Sequence, residues 1–138
     1  MNTIKDVSEI QFNCYKDANG SLVPIELGNS LPFQPMRIFY SYGVPSDCTR
    51  GNHAHYTTKQ VLVCISGDCV VECSDGHDSK RFILDSPNKG ICIPEMIWDK
   101  IKFGAQNSVL LVFSSTSYNR DDYIEDYEKF KKLRGAVQ

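Results

Sequence analysis

Up to Ser117 the chain is a series of short apolar or alternating segments separated by turn residues, a pattern that predicts strands. In residues 36–42, Arg37, Phe39 and Ser41 share one side, while Ile38, Tyr40 and Tyr42 share the other. Residues 60–65 are apolar almost throughout, as in a strand covered on both faces. Residues 69–74 read as its antiparallel partner beyond a Ser66-Gly67-Asp68 turn. Further strands are expected at 80–84, 91–94, 98–103 and 109–113, with turns at Asp75-Gly76, at Ser86-Pro87 and at Gly104. The first thirty residues predict an opening strand, a turn at Asp17-Ala18-Asn19-Gly20 and a strand over 21–25, placed at an edge because Pro24 lacks a ladder donor. Short strands broken by turns every 8 to 12 residues or so indicate an all-β sandwich or barrel, the jelly roll among them.

After Ser117 the pattern changes. Acids at 121, 122, 125, 126 and 128 precede Lys131, Lys132 and Arg134, the charge order that suits a helix dipole. Tyr123, Tyr127 and Phe130 then form one helical stripe, expected to dock the helix on the barrel or on a second subunit. The fold expected is therefore all-β with a short C-terminal helix, one domain over residues 1–138.

Composition narrows the function. A formal net charge of −2 argues against a nucleic-acid face. The longest apolar runs are five residues, against the roughly 20 that a membrane helix needs. The opening MNTIKDVSEIQFN has no secretory pattern, so a cytoplasmic protein is expected, with neither nucleic acid nor membrane as partner. Six cysteines form no CxxC pair and most lie inside apolar strands, as small core residues of a reducing compartment do.

Two of the three histidines stand in Arg50-Gly51-Asn52-His53-Ala54-His55. On a strand, His53 and His55 project to the same face, with Gly51 leaving room for a turn or a ligand. The His-x-His pair, Gln60 after four intervening residues and Gly67 after six more resemble the first motif of cupin jelly rolls, in which Gln60 stands where a glutamate is usual. Gly90 and Pro94 resemble the second motif, but no third histidine follows, and His77 reads as a solvated turn residue. Two imidazoles and a neutral amide make a poor site for a divalent transition metal, so neither metal nor cofactor is expected. Without a metal, the pair reads as acid/base groups, since an unperturbed imidazole titrates near 6.5.

The resemblance extends along the chain. Arg37-Ile38-Phe39-Tyr40, RGNHAH, QVLVCISG, Asp85-Ser86-Pro87, Gly90, Pro94, Trp98, VLLVFSS and the ending DDYIEDYEKF are similar to the sugar 3,4-ketoisomerases, metal-free cupins of the WxcM-like group. That resemblance implies dimers that exchange N-terminal strands. It implies a dTDP-linked 4-keto-6-deoxyglucose as substrate, its carbonyl moved from C4 to C3 in deoxysugar pathways for surface polysaccharides. It makes His53 the base, with His55 orienting the sugar or shuttling a proton, and Tyr40 or Tyr42 the phenol on the carbonyl. Arg37, Arg50 and Lys100 become candidates for the diphosphate, as guanidinium forks suit phosphate oxygens. Gln60 joins the binding set, and Trp98 stacks on base or sugar or fills core.

Three positions depart from the family pattern. Phe39 stands where relatives carry tyrosine, Asp99 follows the tryptophan where they carry His or Arg, and Asn19 stands where they carry Arg or Tyr. The last two are associated with the face of C4 that is protonated. These departures keep two rivals open: a 3,5-epimerase on the same fold and a cupin that binds a sugar nucleotide without turnover. A metal-dependent cupin oxygenase is a third, disfavoured by the donor set.

Overall fold

The computed structural model describes residues 1–135; the last three residues of the expected domain, 136–138, lie outside them. Among the described residues twelve strands run in chain order: β1 (Ser8–Gln11), β2 (Tyr15–Asp17), β3 (Gly20–Leu22), β4 (Arg37–Tyr42), β5 (Thr49–His55), β6 (Gln60–Ser66), β7 (Cys69–Ser74), β8 (Ser79–Leu84), β9 (Lys89–Ile93), β10 (Trp98–Phe103), β11 (Val109–Ser114) and β12 (Tyr123–Ile124). One helix, α1 (Tyr127–Leu133), follows. Two five-stranded antiparallel sheets, ordered β1-β9-β6-β11-β4 and β12-β5-β10-β7-β8, face one another. β2 and β3 pair only with each other. This is the all-β, cupin-like jelly roll that the alternation and the motif resemblance imply.

The layer between the sheets is built from alternate positions. Leu62, Cys64, Leu110 and Val112 come from one sheet, and Val71, Cys73, Ile101 and Phe103 from the other. β10 shows the rule plainly: Asp99, Ile101 and Phe103 are buried while Lys100 and Lys102 are exposed. β6 is buried on both sides, as its apolar run demands. Its outer residues Val61 and Val63 lie under Phe12, Leu31 and Phe113, with Val23, Ile25 and Phe33 of the connecting segment packed against them. The residues expected to form a strand over 21–25 pair only as far as Leu22; beyond it the chain serves as this cover. All six cysteines are free thiols, four of them buried, which agrees with their reading as core residues.

β4 inverts the usual arrangement. Arg37, Phe39 and Ser41 face inward, half-buried, while Ile38, Tyr40 and Tyr42 are exposed on the outer face. An apolar stripe is thus left uncovered along a sheet edge.

The C-terminal segment differs from its expected single helix. Asn119 caps a short turn, Arg120–Asp122, by accepting from the Asp121 N–H. Tyr123 and Ile124 then pair with His55 and Ala54 of β5, and only at Asp126 does a helix begin, capped by that residue's carboxylate on the amides of Glu128 and Lys129. A free strand edge beside 123–124 wins over helix propensity, since short segments take their form from tertiary contacts. The stripe is therefore split. Phe130 is fully buried with Ala54 and Ile124, and Tyr127 packs near it, but Tyr123 belongs to a strand. Removing a buried phenyl leaves a cavity costing about 3 kcal/mol or more. Phe130→Ala is accordingly expected to lower the unfolding free energy by that much in a denaturant titration; an unchanged value would show that the helix does not support the sheet.

Candidate active site

β5 does not run straight into its histidines. Its register against β10 pairs His53 with Asp99 but Gly51 with Lys100, so Asn52 has no partner and the strand bulges. Both bulge residues have left-handed backbone, φ 80° at Gly51 and φ 61° at Asn52, which glycine and asparagine adopt with least strain. Gly51 is also bound by space: a Cβ there would lie 2.3 Å from an Asp99 carboxylate oxygen. Beyond the bulge, His53 and His55 point to the same side, as the i, i+2 spacing predicts, with ring centroids 4.8 Å apart.

They stand at an open cavity of about 350 Å³ between the sheets. His53, Asp99, Gln60, Arg50, Phe39 and Tyr123 are on its wall; Leu62, Ile101, Leu110 and Val112 form its apolar floor. His55 sits behind His53, buried, with Nε2 unpaired. Arg37 reaches in from β4. Its Nη2 donates to the Ser114 hydroxyl and to the Tyr123 hydroxyl, each at 3.3 Å, and its guanidinium lies over the rings of Phe39 and Tyr118. Gln60 is buried and donates from Nε2 to the same Ser114 oxygen at 2.9 Å. Arg50 is exposed at the rim.

Burial sets the charge states. It lowers the pKa of His55 to about 4, with the neighbouring His53 adding to the effect. His53 is lowered too, chiefly by burial; the Gly51 backbone and Glu125 oppose this, and Arg37 and Arg50 reinforce it. Both imidazoles are therefore uncharged at neutral pH. Asp99 is buried, its Oδ1 has no hydrogen-bond partner, and desolvation raises its pKa to about 7. The cavity wall thus holds a neutral base backed by a second one and a carboxyl poised between acid and anion, with Arg50 and Glu125 also on its lining. Among the described residues no group of three or more His, Cys, Asp or Glu side chains could hold a metal ion.

Several expected residues lie elsewhere. Tyr40 and Tyr42 point away from the cavity on the outer face of β4, because strand alternation puts Phe39 inside. Trp98 lies on the outer face of β10, with ring centroids 5.1 Å from Tyr127 and 5.7 Å from Phe130, so it holds the helix. Lys100, also outward, is 3.8 Å from Glu72. Asn19 is exposed at the turn of the β2–β3 hairpin, outside the cavity. His77 is an exposed turn residue whose Nε2 also lies 3.1 Å from the Arg134 carbonyl.

Tyr118, Tyr123 and Glu125 also line the cavity, and none was singled out for the site by the sequence pattern. Tyr123 packs on both imidazoles, with centroids 5.0 Å from His53 and 4.5 Å from His55. The signal that points to it is the pair of short capping side chains, Asn119 and Asp126, which bracket a Tyr-Ile dipeptide suited to a strand.

The chain matches the family model described as FdtA: WxcM-like, C-terminal, over residues 5–135. It belongs to this WxcM-like family of sugar 3,4-ketoisomerases. It is 37% identical over 128 residues to a TDP-4-oxo-6-deoxy-α-D-glucose-3,4-oxoisomerase of Aneurinibacillus thermoaerophilus, covering 93% of this chain and 92% of that one. Its fold superposes on a 3,4-ketoisomerase from Helicobacter canadensis with TM-score 0.90 and 35% identity over 94% of this chain and 98% of the other. It superposes with TM-score 0.92 and 30% identity, over 95% of each chain, on a histidine mutant of the 3,4-ketoisomerase QdtA from Thermoanaerobacterium thermosaccharolyticum in complex with TDP-4-keto-6-deoxyglucose.

The buried carboxyl gives a stability test. A folded-state pKa raised from 3.8 to about 7 means that the folded protein holds a proton the unfolded chain has released. Stability is lost as pH rises through that window, by roughly 4 kcal/mol in full. Asp99→Asn is expected to be more stable than the wild type at pH 8 but not at pH 4. Equal pH dependence of the two melting temperatures would contradict the buried, neutral acid.

Proposed function

We propose that the protein moves the keto group between C4 and C3 of a dTDP-linked 4-keto-6-deoxyhexose by histidine-mediated proton transfer through an enediol. The observation that carries this reading is the uncharged His53 imidazole on the wall of a cavity large enough for a sugar ring, with the His55 ring packed behind it. Shifting a ketone to its neighbour requires a base for the C3 proton, relief of negative charge on oxygen, and return of a proton at C4. His53, on the cavity wall, is the base. His55 is too buried to meet the sugar first and serves as its partner, kept neutral by burial and by the neighbouring His53. Arg37 and Arg50 are the cations for the diphosphate, and Gln60 and Phe39 border the sugar. Asp99, neutral in mild acid, donates a hydrogen bond to the sugar or a proton toward C4.

The protein is further read as a cytoplasmic homodimer in deoxysugar synthesis for surface polysaccharide. Ile38, Tyr40 and Tyr42 form the apolar face suited to a second copy. Every residue of β2 and β3 is exposed, Tyr15 and Leu22 among them, which suits a hairpin exchanged between subunits; Asn19 would then meet the partner's cavity. Sedimentation of the purified protein is expected to give twice the 15.6 kDa chain mass; a monomer at micromolar concentration would refute the dimer.

One feature favours a binding-only alternative: Phe39 brings no phenol to the cavity. The two readings part in deuterated buffer with TDP-4-keto-6-deoxyglucose. Turnover puts deuterium into the ring and yields a 3-keto product by NMR, and His53→Asn lowers the rate about 10² to 10⁴-fold. Binding of dTDP with neither exchange nor product would end the isomerase reading, while a 4-keto product inverted at C3 and C5 would make it an epimerase. Because the His53 pKa is lowered, the rate should hold as pH falls below 6.5 and fail only at lower pH.

A further inference from the structure

We propose that Tyr123 is a catalytic residue, the phenol that carries the proton between the two sugar oxygens; this rests on the isomerase reading above. The family resemblance puts a tyrosine at the position of Phe39, yet this cavity is not without a phenol. Tyr123 comes from the opposite side, on the segment between β11 and α1, and its ring touches both histidines.

The segment is held as a functional group should be. On one side Tyr123 pairs with His55 across the β5 edge. On the other, Asp122 is clamped: its carboxylate accepts from the Thr57 N–H at 2.9 Å, the Thr57 hydroxyl at 2.8 Å and the Thr58 hydroxyl, and its carbonyl accepts from the Tyr56 N–H at 2.9 Å. Burial acts to raise the Asp122 pKa, but the Thr58 and Thr57 bonds outweigh it and hold the carboxyl below its usual range. The clamp is therefore ionised and intact at neutral pH.

The hydroxyl is oriented by Arg37. That guanidinium can only donate, so the phenol oxygen accepts from it and keeps its own proton free for the cavity. The same cation would stabilise the oxygen once that proton has left.

The steps balance. His53 takes the C3 proton, and the electrons move to make C3=C4 and an oxyanion on O4. Tyr123 gives its proton to O4, forming the enediol and a phenolate beside Arg37. The phenolate then takes the proton from O3. The oxyanion on O3 collapses to the C3 carbonyl as C4 accepts a proton from an acid, either the His53 imidazolium or Asp99 after exchange with solvent. Tyr123 ends as it began.

The test separates carbon from oxygen proton transfer. TDP-4-keto-6-deoxyglucose in deuterated buffer is followed by NMR with wild type, Tyr123→Phe and Phe39→Tyr/Tyr123→Phe. Loss of the shuttle leaves the base working, so Tyr123→Phe is expected to keep deuterium exchange at C3 within a few-fold while 3-keto product falls about 100-fold or more. Phe39→Tyr in that background, placing a phenol near the same guanidinium, is expected to restore product at least tenfold. Equal loss of exchange and product in Tyr123→Phe, with no recovery in the double variant, would reduce Tyr123 to a structural contact and overturn the proposal; so would unchanged product formation. A wild type that neither exchanges nor converts the sugar would remove the isomerase reading itself, and this assignment with it.

Discussion

The bulge at Gly51 and Asn52 is the constraint on which the site depends. It inserts one residue into β5 opposite β10, and the strand beyond it is turned so that His53 faces Asp99 and the cavity. The bulge is possible because position 51 lacks a side chain: the space a Cβ would take is filled by the Asp99 carboxylate. A side chain at 51 would have to displace the acid, the bulge or both. The site is thus fixed by local backbone geometry on a rigid strand pair and needs no mobile loop to assemble it.

Desolvation does the rest. Placed in water, two imidazoles and a carboxylate would be partly protonated and fully charged respectively at pH 6 to 7. Set between two apolar sheets, all three shift toward neutrality, the bases downward and the acid upward. The charges that remain near the cavity are Arg37 and Arg50, which would draw an anionic ligand, and Glu125, which acts in the opposite sense on His53.

Much of this was legible in the residues. Alternation, short apolar runs and turn signals locate most strands of the two sheets, and the i, i+2 spacing of the histidines places both rings on one face. Arg37 and Phe39 were readable as a shared face, and the same alternation expels Tyr40, so the phenol expected there conflicts with the strand's own parity. Trp98 and Asp99 show a similar split: adjacent in sequence, they point to opposite sides of β10, one toward the helix and the other into the cavity. Tyr123 was not legible, because spacing of four and three to Tyr127 and Phe130 imitates a helical stripe. What decides its conformation is the open edge of β5, some seventy residues away in the chain, and a pairing of that range leaves no local period. Asn19 marks the other boundary, since its surroundings depend on whether a second chain is present.

The central claim is that burial holds the paired imidazoles uncharged at the pH where they must accept a proton. The most direct measurement is an NMR titration of the ring carbons and nitrogens of His53 and His55 in the unliganded protein. Both rings are expected to titrate below the ordinary value of 6.5, His55 near 4. A His53 that is protonated at pH 7, or a His55 that titrates at or above 6.5, would contradict it.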